Sequence, residues 1–351
     1  FTNCKNNAEL AEAEAKNQSA KDFYHAIIKL GYGFVDVFNA IGGLVSDVFY
    51  KADPKKSDVK NYFDSIASIL KETQTKLDAL SKEQGGGDGG TQVVDAAKKA
   101  GEWIKEMHKA VEDTAKAGGE GGNESIANVA AGGAGHAAGA KADVNSVTGI
   151  AKGMKAIVDA AGKAGVELKP AAAGAGGAAG DAGKLFASGA GAGDANAAQG
   201  AAEAAGKAVS AVSGDQILKA IVDAAGAAEG KGAATAANAV EAAIGDDGGA
   251  AAFAGGMNKN DQIAAAIVLR GLAKGGKFAN ANNANTKVVA AVKSAVESGV
   301  QKTVSSLTSL VKQSIVKELG KVANVVQNTN SAATNGDTPK KTEDTAKAGV
   351  K

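Results

Sequence analysis

Apolar residues recur along this chain at helical spacing, and the two ends carry the densest runs. Phe23, Ile27, Leu30, Phe34, Val37, Phe38, Ile41, Leu44, Val45 and Val48 fall three and four apart, which is one face of a helix. Gly31, Gly33, Gly42 and Gly43 interrupt it. A glycine inside a helix costs about 1 kcal/mol against Ala, so these serve close packing or bends. Asp53-Pro54 ends the element, because the residue before proline is pushed out of the α region. Ser57-Asp58 caps a second helix running to about Ser81, with Val59, Tyr62, Phe63, Ile66, Ile69, Leu70, Leu77 and Leu80 as its stripe. Gly85-Gly86-Gly87-Asp88-Gly89-Gly90 reads as a linker or loop tip. A third helix, about 91–116, presents Val94, Trp103, Ile104, Met107 and Val111.

The C-terminal pattern is the most regular. Val288, Val292, Val296, Val300, Val304, Leu307, Val311, Ile315, Leu319, Val322 and Val326 predict one helix of about 60 Å, with Gly299 and Gly320 as its weak points. Its stripe needs a partner, and the matching apolar surface lies in 23–80, so the two termini are expected to pack as an antiparallel-type bundle. After Asn328 the chain turns to Asn, Thr, Ser, Gly, Lys and Glu with Pro339, a composition that predicts disorder over 328–351.

The stretch from 117 to 256 is mostly Ala, Gly, Asp and Lys. Ala forms helix well but buries little, so an Ala-rich middle can be helical without packing strongly; short helices with one apolar face each are expected at 145–161, 201–212, 215–229 and 261–274. Loops are expected at 118–144, 171–200, 230–256 and 275–285. Lys155-Ala-Ile-Val-Asp-Ala-Ala-Gly162 returns as Lys219-Ala-Ile-Val-Asp-Ala-Ala-Gly226, and Asp215-Gln-Ile217 returns as Asp261-Gln-Ile263, at spacings too irregular for a solenoid. One island, 257–278, is richer than its surroundings. Asn260 or Asp261 can cap its helix and Gly275-Gly276 can end it. Ile263, Ile267, Val268, Leu272 and Phe278 are expected to be buried. Arg270, the single arginine of the chain, is expected to make a charge-assisted hydrogen bond to a carboxylate or a helix end.

Composition narrows the function classes. A net charge of +1 gives no field that would recruit nucleic acid. No run of 18 or more apolar residues spans a bilayer. One cysteine, Cys4, excludes an intrachain disulfide. Phe1-Thr-Asn-Cys4 followed by the polar run Lys5-Asn-Asn-Ala-Glu9 fits the end of a bacterial lipoprotein signal, in which Cys4 is the acylated residue and 1–20 a lipid anchor and polar tether; the plain alternative is an exposed thiol.

Chemistry is scarce. His25 and His108 sit in amphipathic helices and His136 in a Gly/Ala loop, and no HExxH, Cys/His pair or calcium loop is present. Gly189-Ala-Gly-Ala-Gly193 lacks the Gly-Lys-Ser/Thr ending of a phosphate loop. No serine or threonine has a histidine base at a recognisable spacing. Neither an enzyme nor a cofactor or metal is expected.

Several segments carry a resemblance. Phe23-Tyr24, Leu30-Gly-Tyr-Gly-Phe-Val-Asp-Val-Phe38, Gly42-Gly-Leu-Val45 and Asp53-Pro-Lys-Lys-Ser-Asp-Val-Lys60 resemble the N-terminal constant region of the VlsE family, the variable surface lipoproteins of Lyme-disease spirochaetes, to which the variable large proteins of relapsing fever are related. The 257–278 island resembles that family's sixth invariable region, Lys184-Leu-Phe186 and Ala211-Val-Ser-Gly-Asp-Gln-Ile217 also match, and Cys4 falls at the lipobox position. The sequence after about 305 departs from the family pattern.

The resemblance implies an all-α fold in which the N- and C-terminal helices form a membrane-proximal bundle and a Gly/Ala-rich centre of short helices and long loops stands at the distal end. It implies one helical domain over 21–327, with constant helices at 21–116 and 286–327 and a recombined region at 117–285 around the constant segment 257–278. It implies a non-catalytic outer-membrane lipoprotein whose changeable loops meet host antibodies. The rival reading is an adhesin binding host glycosaminoglycan or another host ligand, the former through Lys55-Lys56, Lys98-Lys99 and Lys340-Lys341, pairs that more often form solvated faces.

Overall fold

The computed structural model describes residues 51–82, 88–175, 177–283 and 285–335, with isolated positions between 11 and 29. Cys4, nearly all of the helix expected over 23–48 and the tail beyond 335 lie outside the described residues. The described chain is all-α. Its helices are α1 (Lys56–Lys82), α2 (Asp88–Gly119), α3 (Val144–Lys163), α4 (Ala195–Ser210), α5 (Gly214–Ala224), α6 (Ala239–Ile244), α7 (Asn260–Leu272) and α8 (Thr286–Asn335), with a 3₁₀ segment at Gly177–Phe186. Among the described residues extended pairing is limited to isolated bridges, three of which join loop residues to Lys259, Lys277 and Phe278.

α1 and α2 form an antiparallel pair, and α2 also packs on α3. The stripes read from the sequence are the faces that meet. Val59, Tyr62, Phe63, Ile66, Leu70 and Leu77 of α1 are buried, as are Trp103, Ile104, Met107 and Val111 of α2. In α2 it is Val93 rather than Val94 that turns inward.

α8 runs the length of the body with its Val/Leu stripe from Val288 to Val326 buried, apart from the half-buried Leu319. It is longer than the sequence predicts, continuing as helix to Asn335. Most of the partner surface expected at 23–50 lies outside the described residues; among the described ones α8 packs on α2 and also on the central helices α3, α4, α5 and α7. A hydrogen bond of 2.6 Å between the Tyr62 and Thr308 hydroxyls ties it to α1. Gly299 is no weak point: a Cβ there would stand 2.9 Å from Val268 Cγ2, so the bare backbone lets α8 approach α7.

The Ala-rich centre is a packed core, although its composition allows a looser one. α4 buries Ala198, Ala201, Ala202, Ala204, Ala205 and Ala208, and this smooth face seats against α7, α8 and the 3₁₀ segment. Small side chains let helices come close, and the close approach replaces the contact area that alanine lacks. Two expected loops contain helix. α4 begins at Ala195, where the Asp194 side chain accepts the Ala197 N–H at 2.8 Å. α6 is held by Asn238, which accepts the Glu241 N–H at 3.0 Å, while Glu241 accepts the Ala237 N–H at 2.8 Å. Asn-x-x-Glu is a capping signal that was present in the sequence. α7, in contrast, uses neither Asn260 nor Asp261 as its cap; both lie inside the helix, which starts after Lys259.

Candidate functional site

α7 is buried all round: every residue from Ile263 to Leu272 is buried. Ile263, Ile267, Val268, Leu272, Phe278 and Arg270, the six residues singled out from the sequence, lie in this one buried unit. Arg270 is fully enclosed and makes hydrogen bonds to backbone carbonyls. Its Nε donates to Ala243 at 3.0 Å, its Nη1 to Phe186 at 3.0 Å, and its Nη2 to Ala242 and Ile244 at 3.4 Å each. Three of these carbonyls form the last turn of α6, whose free acceptors and negative dipole end suit a cation. The guanidinium lies 4.6 Å over the Phe186 ring, and Phe186 meets Phe253 and Phe278 edge-on at 5.0 and 5.6 Å. Burial pushes the Arg270 pKa down to about 9, opposed by the charge of Asp246, so the group stays cationic at neutral pH. A helix end is its partner and no carboxylate bonds to it.

The segment after α7 serves as a main-chain ledge for the loops. Phe278 donates to the Asn128 carbonyl and accepts from Ala130, both at 2.8 Å. Ala140 and Lys277 exchange bonds of 3.0 and 3.2 Å. Ala279 donates to Leu185, Asn280 donates to Ala137 and accepts from Ala192, and Asn282 donates to Gly193, all at 2.8 Å. The buried Asn280 side chain adds Nδ2 bonds to the Ala130 and Ala131 carbonyls at 3.0 and 3.3 Å. Loops 128–140 and 185–193 are thus held by their backbones, while Ala131, Ala134, Gly135, His136 and Ala190 face solvent.

The same rule operates at the helix ends. Lys302 of α8 donates to the Val209 and Val212 carbonyls at the end of α4, both at 2.8 Å. Lys317 of α8 donates to the Gly165 carbonyl just past α3 at 2.6 Å. Trp103 of α2 donates to Ala160 in the last turn of α3 at 2.8 Å. Lys56, at the start of α1, is fully buried and reaches the Ala273 carbonyl at the end of α7 and Glu124 Oε2, both at 2.5 Å. Burial lowers the Lys56 pKa and Glu124 raises it back in part. Burial would raise the Glu124 pKa, but the Lys56 ammonium and the Gly275 N–H outweigh it and hold the carboxyl below its usual range. Asp53, held low by Lys55, Ser125 and Lys293, completes this corner. Long-range side-chain donors from α1, α2, α7 and α8 therefore grip main-chain acceptors of the centre. Lys56, Lys302, Lys317 and Asn280 were not legible as such in the sequence, because their acceptors are peptide carbonyls 90 or more residues away in every case.

The lysine pairs fare differently from one another. Lys56 is buried and Lys55 pairs with Asp53 at 2.5 Å, whereas Lys98 and Lys99 are exposed on α2, and Lys340-Lys341 lies outside the described residues. A recess of about 450 Å³ lined by Ala173, Phe253, Met257, Lys259 and Ile263 offers a single ionisable side chain, so it holds no acid–base pair. Among the described residues no group of His, Cys, Asp and Glu is placed to hold a metal, and no helix is long and apolar enough to cross a membrane. His108 is half-buried in α2 and His136 is exposed in its loop.

The described chain is a helical body that carries exposed loops on main-chain grips. Residues 34–326 match the family model described as Borrelia lipoprotein, and the chain belongs to that family. The chain is 44% identical to the Lyme disease variable surface antigen VlsE of Borrelia burgdorferi, whose crystal structure it matches with a TM-score of 0.70 over 87% of this chain and 99% of that one. It is 31% identical to variable large protein 12 of Borrelia hermsii over 94% of this chain and 89% of the relative. Variable large protein 14 of the same organism is 31% identical over 48% of this chain and 46% of its own length. The matched crystal structure is that of a variable surface antigen, and the Borrelia hermsii relatives are named for their variability.

Proposed function

We propose that this protein is an outer-surface lipoprotein of antigenic variation: it presents a changeable loop surface to host antibodies and escapes them by sequence exchange within 117–285. The observation that carries this reading is the main-chain grip. Loops 128–140 and 185–193 are tied by backbone bonds to 277–282, so their outward side chains contribute little to anchoring. A surface built this way tolerates replacement of side chains while the fold stays fixed. Residues 51–82, 88–119 and 286–335 supply the fixed body, and 257–278 is the constant segment inside the changing region. Cys4 would carry the lipid; firm anchoring needs more than one acyl chain, since one binds a membrane only marginally. The terminal helices would then stand near the membrane and the loops away from it.

The test is a comparison of this gene's sequence before and after passage through an infected host. The expected result is substitution confined to roughly 120–285, with 257–278 spared. Substitutions spread evenly into 20–80 and 288–326 would refute the proposal. Mass spectrometry of the native N-terminus checks acylation at Cys4.

A further inference from the structure

We infer that the fold acts as a steric filter on sequence exchange, dividing the glycines of the changeable region into positions that can accept a side chain and positions that cannot. This rests on the reading above. Several glycines of the region lie against main-chain atoms of other segments, Gly139, Gly183 and Gly256 among them. A Cβ on Gly183 would stand 2.5 Å from the Phe253 N and 2.6 Å from the Ala251 carbonyl oxygen. On Gly139 it would stand 2.6 Å from the Lys277 oxygen, 2.7 Å from the Ala187 oxygen and 2.9 Å from the Ala279 N. On Gly256 it would stand 2.5 Å from both Cα and oxygen of Ala237. Real Cβ atoms do not come so close, and a backbone cannot swing aside as the end of a lysine does.

These contacts sit at the junctions that hold the loops. Gly139 donates to the Ala187 carbonyl at 3.0 Å, beside the Ala140–Lys277 pair. Gly183 lies next to the 2.8 Å bond from Phe253 N–H to the Gly180 carbonyl. None of the three has a positive φ, so the constraint is crowding between segments and not local backbone conformation. Gly200 on α4 and Gly249 in the loop after α6 are different: a Cβ on either meets nothing within 4 Å. Incoming segments are therefore displayed only when they bring glycine to 139, 183 and 256, whereas 200 and 249 are free to change.

The test uses single alanine variants of the full chain. Gly139→Ala, Gly183→Ala and Gly256→Ala are expected to lower Tm by at least about 5 °C or to yield no folded protein, while Gly200→Ala and Gly249→Ala keep or raise it. Native hydrogen exchange adds a local readout, with the Phe253 amide losing protection in Gly183→Ala. Unchanged Tm and protection in Gly183→Ala and Gly139→Ala would overturn the filter, as would equal losses at the open positions. Sequences recovered from a host should keep glycine at the three crowded positions. If the purified variants behave as expected but the whole region never changes in a host, the antigenic reading fails and the filter stands.

Discussion

Arg270 shows how one side chain can organise a region without contacting the surface it supports. It enters the core as a charge and is stabilised by carbonyls and an aromatic face, with no carboxylate bonded to it. Removing it leaves the Phe186 and Ala243 carbonyls buried without a donor, and each such group costs about 1–3 kcal/mol. Arg270→Met is expected to destabilise the protein by about 3–5 kcal/mol, measured by urea unfolding. Arg270→Lys should recover only part of this, because a single ammonium cannot address carbonyls from both α6 and the 3₁₀ segment.

The corner at the start of α1 makes a prediction about pH. Asp53, Asp58 and Glu124 all have folded pKa values held below their usual range: Asp53 chiefly by Lys55, and Asp58 and Glu124 by Lys51 and Lys56 against burial. The unfolded carboxylates titrate near 4. The stability from these groups is therefore complete above pH about 5 and is lost as pH falls through and below 4. Glu297 acts in the opposite sense, because burial raises its pKa against the pull of Lys293. Thermal unfolding from pH 7 to pH 3 should show a plateau and then a fall. Glu124→Gln should lower stability at pH 7 by about 1–3 kcal/mol, since Lys56 keeps its burial and loses its counter-charge, and should flatten the acid limb.

At the scale of elements, the stripes of α1, α2 and α8 were legible because leucine, valine and aromatic residues three and four apart have one physical reading. α4 was half legible. Its alanines announced a helix, but alanine is compatible with either face, so its burial followed only from its neighbours. Overfilling tests this. Ala205→Leu, facing the core, is expected to cost about 1–3 kcal/mol by chemical denaturation, while a change at the exposed Glu203 should stay within about 0.5 kcal/mol. The repeated motif gives a second lesson. Lys219 and Asp223 pair on the exposed side of α5 at 2.7 Å, and the corresponding positions of α7 are Ala265 and Leu269, both buried. The same motif serves one helix at the surface and another at the centre, and the exchange of one ion pair for two apolar residues marks the difference.

At the scale of the molecule, α8 is the spine on which the N-terminal hairpin and the central helices are both assembled. Val300 and Val304 are fully buried in it. Val300→Ala should therefore weaken the central helices as well as the terminal ones, which hydrogen exchange can resolve as reduced protection in α4 and α5 together with α2. A bundle of the termini alone would lose protection in α1 and α2 only.

The sequence by itself determined the all-α class, the stripes of the long helices, the island at 257–278 and the scarcity of catalytic chemistry. These are encoded locally, in the spacing of side chains along one helix. Only the tertiary structure decided that the alanine-rich centre is a core, that Lys56, Arg270, Lys302 and Lys317 hold helix ends, and which glycines are crowded. The physical reason is common to all three. Each depends on a peptide group or an alanine of a distant segment, and a peptide carbonyl looks the same in every residue of the sequence.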